Sequence, residues 1–143
     1  MASDQYYIEL AKDVATRSTC LRRQVGAVAV QGSFTVATGF NSAPKGCPPC
    51  AETGCLRQEL GVPSGQRHEI CRAVHAEQNV ITTAANAGIS LFGAKLYVTH
   101  SPCAICAKLI INAGIKEVVF AEGYQDELAD IFLKAAGVRV RQV

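Results

Sequence analysis

From residue 76 onward the sequence alternates between two hydrophobic periods, and that alternation dictates the architecture. Val80, Ile81, Ala84 and Ala85 recur at helical spacing within 76–87, and Gly88 stands where such a helix would end. Residues 94–99 then read as a strand, 103–113 as a helix stopping near Gly114, 117–121 as a strand, 127–136 as a helix and 138–143 as a final strand. Strands separated by helices pair in parallel, and a parallel sheet has to be covered on both faces. Upstream, Ile8, Ala11, Val14 and Ala15 mark one buried stripe on a helix over 5–16. The β-prone runs 26–30 and 34–38 are joined by Gln31-Gly32-Ser33, as in a hairpin. The expectation is an α/β fold, one domain over 1–143 with a mixed sheet of about five strands and helices on both faces.

One segment breaks this regularity. Between about 41 and 74 the chain holds Pro44, Pro48, Pro49 and Pro63 together with Gly46, Gly54, Gly61 and Gly65, and only Leu56 to Leu60 suggests a turn of helix. A loop this long inside a compact domain is either mobile or held by something specific. Cys47, Cys50, Cys55, His68 and Cys71 all fall within it, which favours a metal staple. The chain carries seven cysteines, and its amino-terminal stretch MASDQYYIELAK lacks the pattern of a secretory signal. Reduced thiols, a cytoplasmic location and metal ligation are therefore expected instead of a disulfide framework. No apolar run is long enough to cross a bilayer. With 14 basic and 12 acidic residues the chain has a formal charge of +2, which gives little support for a nucleic-acid surface.

Chemistry concentrates at two helix starts. His75-Ala76-Glu77 opens one helix and Pro102-Cys103-Ala104-Ile105-Cys106 the next, with one strand between them. Residues three apart share a helical face, so Cys103 and Cys106 can place both sulfurs on one ion, and Pro102 suits a helix start. The unpaired N–H groups of a first turn favour nearby thiolates. Two thiolates and an imidazole are three ligands for tetrahedral Zn2+, leaving a fourth position for water, as in catalytic zinc sites. Glu77, two residues from His75, is placed to carry protons for that water instead of binding the ion. Taken alone, the CxxC also fits a redox pair, or a Cys₄ ribbon completed by Cys47 and Cys50, but the ribbon leaves His75 and Glu77 without a role.

HAE followed by PCAIC resembles the zinc-dependent cytidine deaminase superfamily. Within it, RSTCLRRQVGAVAV, GFNSAPKG, CLRQELGVPSGQRHEICRAVHAEQNVI and LYVTHSPCAICAKLIINAGIKEVVF resemble the deoxycytidylate deaminases, over roughly residues 5–125. The resemblance implies the cytidine deaminase fold and hydrolysis of dCMP to dUMP and ammonia, with activated water attacking C4 of cytosine. It implies His75, Cys103 and Cys106 as ligands of the catalytic zinc, Glu77 as proton shuttle and Asn41 as a hydrogen-bond partner of the sugar. It further implies a second, structural zinc at Cys20 and Cys50, completed by His68 and Cys71, with Cys47 and Cys55 as alternatives and small buried thiols as the plain reading. For the 5′-phosphate, Arg22, Arg23 and Lys45 are expected at the pocket rim and Arg23 is favoured, while Tyr124, just beyond a strand end, is a candidate contact of sugar or phosphate. His100 is read as structural. Self-association and dCTP/dTTP effectors follow from the resemblance too, although this chain reads Gly39-Phe40-Asn41-Ser42 where the family usually has GYNG. Rival readings are deamination of cytidine, dCTP or a tRNA adenosine, and a catalytically silent zinc module.

Overall fold

The computed structural model describes residues 3–123 and 126–143. Helix α1 (Asp4–Ala15) leads to strands β1 (Gly26–Gln31) and β2 (Phe34–Phe40). The short helices α2 (Cys50–Thr53) and α3 (Leu56–Glu59) follow, with a 3-10 turn at His68–Ile70. Then come α4 (Ala76–Ala87), β3 (Lys95–His100), α5 (Ala104–Asn112), β4 (Glu117–Glu122), α6 (Glu127–Ala135) and β5 (Arg139–Gln142). The expected elements are present with ends shifted by a residue or so. The helix at Cys50–Thr53 and the 3-10 turn had no periodicity to announce them, because neither is long enough to show one.

The sheet runs β2-β1-β3-β4-β5, antiparallel across β2, β1 and β3 and parallel across β3, β4 and β5. Its middle strands are buried on both faces, and the pleat sorts their side chains. Ala27, Ala29, Leu96, Val98, Val118 and Phe120 point towards α4, α5 and α6. Val28, Val30, Tyr97 and Val119 meet Tyr7, Ile8 and Ala11 of α1 on the opposite face. One helix covers one face and three cover the other, as the crossovers require.

Pairing also decides where the loops meet. Gly26 lies opposite Phe40, and Ala27 opposite Val98, so the start of β1, the end of β2 and the end of β3 share one edge of the sheet. His100 pairs with Glu122, bringing the end of β4 to that edge as well. The Gly26 N–H donates to Thr99 Oγ1 at 3.2 Å and fastens β1 to β3 there. Loops leaving the carboxyl ends of parallel strands usually carry the site in α/β sheets.

The Cys-rich segment is closed at its base. Ser42 and Val74 exchange both backbone hydrogen bonds, at 3.1 and 2.7 Å, so residues 43–73 form an excursion that leaves and re-enters at one point. Re-entry comes one residue before His75.

Candidate active site

His75 caps the amino end of α4, and its N–H donates to Gln78 Oε1 at 2.8 Å. Cys103 occupies the N-cap position of α5, with Cys106 in the first turn. These two helix starts sit side by side. The ligand atoms of His75, Cys103 and Cys106 lie within 4.8 Å of one another, and no other trio of His, Cys, Asp or Glu among the described residues is so gathered. His75 Nδ1 stands 3.3 Å from Cys106 Sγ and 3.6 Å from Cys103 Sγ. Zinc bonds of ordinary length set at the tetrahedral angle place a nitrogen and a sulfur about 3.5 Å apart, so both nitrogen–sulfur separations fit zinc.

Without a metal, the trio shares protons among its own members. A hydrogen bond from Cys106, opposed by burial, holds the Cys103 thiol down to about 3, and the same contact pushes Cys106 far up. Burial alone would depress His75, yet the Cys103 and Cys71 thiols and the charge of Glu77 raise it to about 10. Ligands of this kind give up protons when a metal enters.

Glu77 is 5% exposed, and burial pushes its carboxyl above the ordinary range against the pull of His75. It opens, with His75 and Cys103, onto a cleft of about 430 Å³ at the shared edge of the sheet, while Cys106 lies fully buried behind them. That volume suits a small ligand. The start of α4 comes this close to β2 because residue 39 is glycine. A Cβ there would stand 2.6 Å from the Ala76 carbonyl oxygen and 2.7 Å from the Val80 nitrogen.

Other sequence-predicted residues take varied places. Asn41 lines the cleft, 8% exposed. Its Nδ2 donates to the Arg23 carbonyl at 2.8 Å and its Oδ1 accepts from the Val25 N–H at 2.9 Å, so it holds the turn carrying Arg22 and Arg23. Arg23 lies at the exposed rim, with Nη2 donating to Ser64 Oγ at 3.4 Å, and Lys45 is exposed and does not line the cleft. His100 lines the cleft too and contacts Thr99 Oγ1 at 2.8 Å and Glu122 Oε1 at 2.8 Å. Tyr124 lies outside the described residues.

The four residues read as a second metal set divide. The thiols of Cys20, Cys71 and Cys55 all act on buried Cys50, which burial and these neighbours push up. His68 packs edge-on against His75 instead, ring centroids 4.9 Å apart. The Cys71 thiol hydrogen-bonds His75, which brings it down to about 7. Of the cleft residues that the sequence reading did not single out, Arg57 is the buried charged one. Arg57, on α3, is 8% exposed and lines the cleft, and nothing in the sequence separates it from a surface arginine.

The comparisons agree with this geometry. Residues 1–122 match the family described as the cytidine and deoxycytidylate deaminase zinc-binding region, and the chain belongs to that family. It is 39% identical over 140 residues to a deoxycytidylate deaminase of Schizosaccharomyces pombe, covering 97% of this chain and 43% of the yeast protein. The chain thus spans less than half the length of that relative. It is also 39% identical over 122 residues to a deoxycytidylate deaminase of Mycobacterium phage D29, covering 82% of this chain and 92% of the phage protein. A crystal structure of dCMP deaminase from the cyanophage S-TIM5 in complex with dCMP and dUMP superposes with a TM-score of 0.82 at 30% identity, over 100% of this chain and 99% of that one.

Proposed function

We propose that this chain is a zinc-dependent deaminase that hydrolyses dCMP to dUMP and ammonia. The observation that carries the reading is the convergence of the His75, Cys103 and Cys106 donor atoms at a nucleotide-sized cleft that His75, Cys103 and Glu77 line together. The names of the yeast and phage relatives, and the dCMP and dUMP held by the cyanophage protein, support this choice of substrate.

His75, Cys103 and Cys106 hold the catalytic zinc in this reading. When bound, the ion supplies the Lewis acidity that makes water nucleophilic near neutral pH. Glu77 takes the proton that the water gives up, then delivers protons to the ring nitrogen and to the departing amine. Its burial keeps bulk water from competing for those protons. Asn41 still has an amide proton that its two backbone hydrogen bonds do not use, directed in this proposal to the sugar. The Arg22–Arg23 turn that Asn41 braces faces the phosphate end, with Tyr124 as a further contact.

A second, structural zinc centred on Cys50 completes the proposal. Its ligands in this reading are Cys20 and Cys50, completed by His68 and Cys71, with Cys47 and Cys55 as alternatives; the influence of the Cys20, Cys71 and Cys55 thiols on Cys50 supports a thiol cluster there. A closed site there pins residues 43–73 over the cleft without entering the chemistry. Self-association, a response to dCTP or dTTP and a cytoplasmic location belong to the same reading. Among the described residues no helix is long and apolar enough to cross a membrane.

The test is turnover by zinc-loaded protein of dCMP, deoxycytidine, dCTP and tRNA. Preference for dCMP is expected, and turnover of deoxycytidine with none of dCMP would overturn the substrate assignment. A metal count near two zinc ions per chain checks the second site.

A further inference from the structure

Three buried side-chain nitrogens lack a hydrogen-bond partner among the described residues: Arg22 Nη1, Arg57 Nε and His68 Nδ1. All three residues line the cleft that holds Glu77. Arg57 is the most telling. Its guanidinium is always charged, the residue is 92% buried, and among the described residues neither it nor Arg22 enters an ion pair. The Arg57 guanidinium also hydrogen-bonds the Cys71 thiol, but Nε is left over. A buried cation with an unused donor is costly unless an anion completes it.

We infer that Arg57, with Arg22 on the same cleft, takes the 5′-phosphate of the nucleotide, so that the Cys-rich excursion carries phosphate recognition. The inference rests on the proposed nucleotide reading and adds a residue that the sequence does not mark. A guanidinium presents paired donors that match phosphate oxygens, and a half-buried second one shares the charge. Arg23, exposed and bonded to Ser64, keeps its hydration and contributes less from the rim. The phosphate site is thus built largely from outside the sheet, on a segment whose ends are tied at Ser42 and Val74 next to His75. Zinc ligands and phosphate anchor are joined through that bridge.

The experiment measures binding, not turnover. Zinc-loaded wild type, Arg57→Gln, Arg57→Lys and Arg23→Gln proteins are titrated calorimetrically with dUMP and with deoxyuridine, which differ only in the phosphate. In Arg57→Gln the advantage of dUMP over deoxyuridine is expected to fall about 10- to 100-fold, the size of a lost charge-assisted hydrogen bond. A smaller fall is expected for Arg57→Lys, which keeps the charge but loses the fork, and the smallest for Arg23→Gln. A purely structural Arg57 would weaken both ligands alike and leave the ratio unchanged, which overturns the inference. So does a wild type that binds dUMP no better than deoxyuridine, or a larger loss of the ratio in Arg23→Gln. If Arg57→Gln fails to fold, Arg57→Lys decides by the same ratio. Inorganic phosphate should compete with dUMP but not with deoxyuridine, and equal competition against both would place the free anion elsewhere and overturn the assignment. Parallel assays of dCMP deamination separate the two readings: Arg57-dependent dUMP binding without turnover retires the activity and keeps the phosphate site.

Discussion

Replacing Gly39 with alanine tests whether the sheet sets the position of the Glu77 carboxylate. The new Cβ would meet the Ala76 carbonyl oxygen at 2.6 Å, the Val80 nitrogen at 2.7 Å and Asn79 Cβ at 3.0 Å. The first two are backbone atoms, and they lie some 0.7–0.8 Å inside ordinary van der Waals contact. A helix backbone has no flexible end that can swing aside, so α4 must withdraw from β2 by roughly that distance. Overpacking of this kind costs about 1–3 kcal/mol, which for a chain of this size lowers Tm by about 3–10 °C. The functional loss should be larger than the stability loss implies. His75 caps α4 and Glu77 lies in its first turn, so the shift carries both away from Cys103 and Cys106 on α5. A displacement near 1 Å at reacting groups costs about 100-fold in rate. The assay is thermal unfolding of the zinc-loaded variant together with kcat for dCMP, at a temperature where it is fully folded. Wild-type Tm and kcat together would refute the argument that β2 holds α4 in place through this contact.

Glu77→Gln should retain zinc by metal analysis while kcat falls by about two to four orders of magnitude, since ligands and metal stay but the proton carrier is gone. Unchanged turnover would remove the assigned role. Cys106→Ala should lose zinc on dialysis against a chelator that leaves wild type loaded, because one of three converging donors is missing. On the far face, Arg141 Nε donates to Glu117 at 2.7 Å and Nη1 to Asp4 at 2.9 Å. Hydrogen bonds from Arg141 hold the Asp4 carboxyl below its usual range, and Glu117 is held low by Arg141 and Lys95 against the opposing effect of burial. Their stabilisation is therefore complete above the unfolded carboxylate pKa values of about 4 and is lost as pH falls through the lower folded values. Arg141→Gln should cost about 1–3 kcal/mol at neutral pH in chemical denaturation and move acid unfolding to higher pH. Equal acid midpoints for both proteins would contradict this.

What could be read from the sequence was local. The helix over 76–87 and the strand–helix alternation after it are written in neighbouring residues, because hydrophobic period depends only on spacing along the chain. The metal trio was legible for the same reason: Cys103 and Cys106 share one helical turn, and His75-Ala76-Glu77 opens the preceding helix. The role of Arg57 had no such signal. A charged residue in an irregular segment looks the same whether solvent or a cleft wall receives it, and only the Ser42–Val74 bridge and the folded excursion decide that it is buried. His68 is a second case: its edge contact with the His75 ring, centroids 4.9 Å apart, joins two positions that no local spacing relates. Sequence thus determined which elements form and which donors can act together within a turn. Strand pairing determined that the start of β1 and the ends of β2, β3 and β4 share one edge, since long-range register depends on contacts that no local pattern encodes.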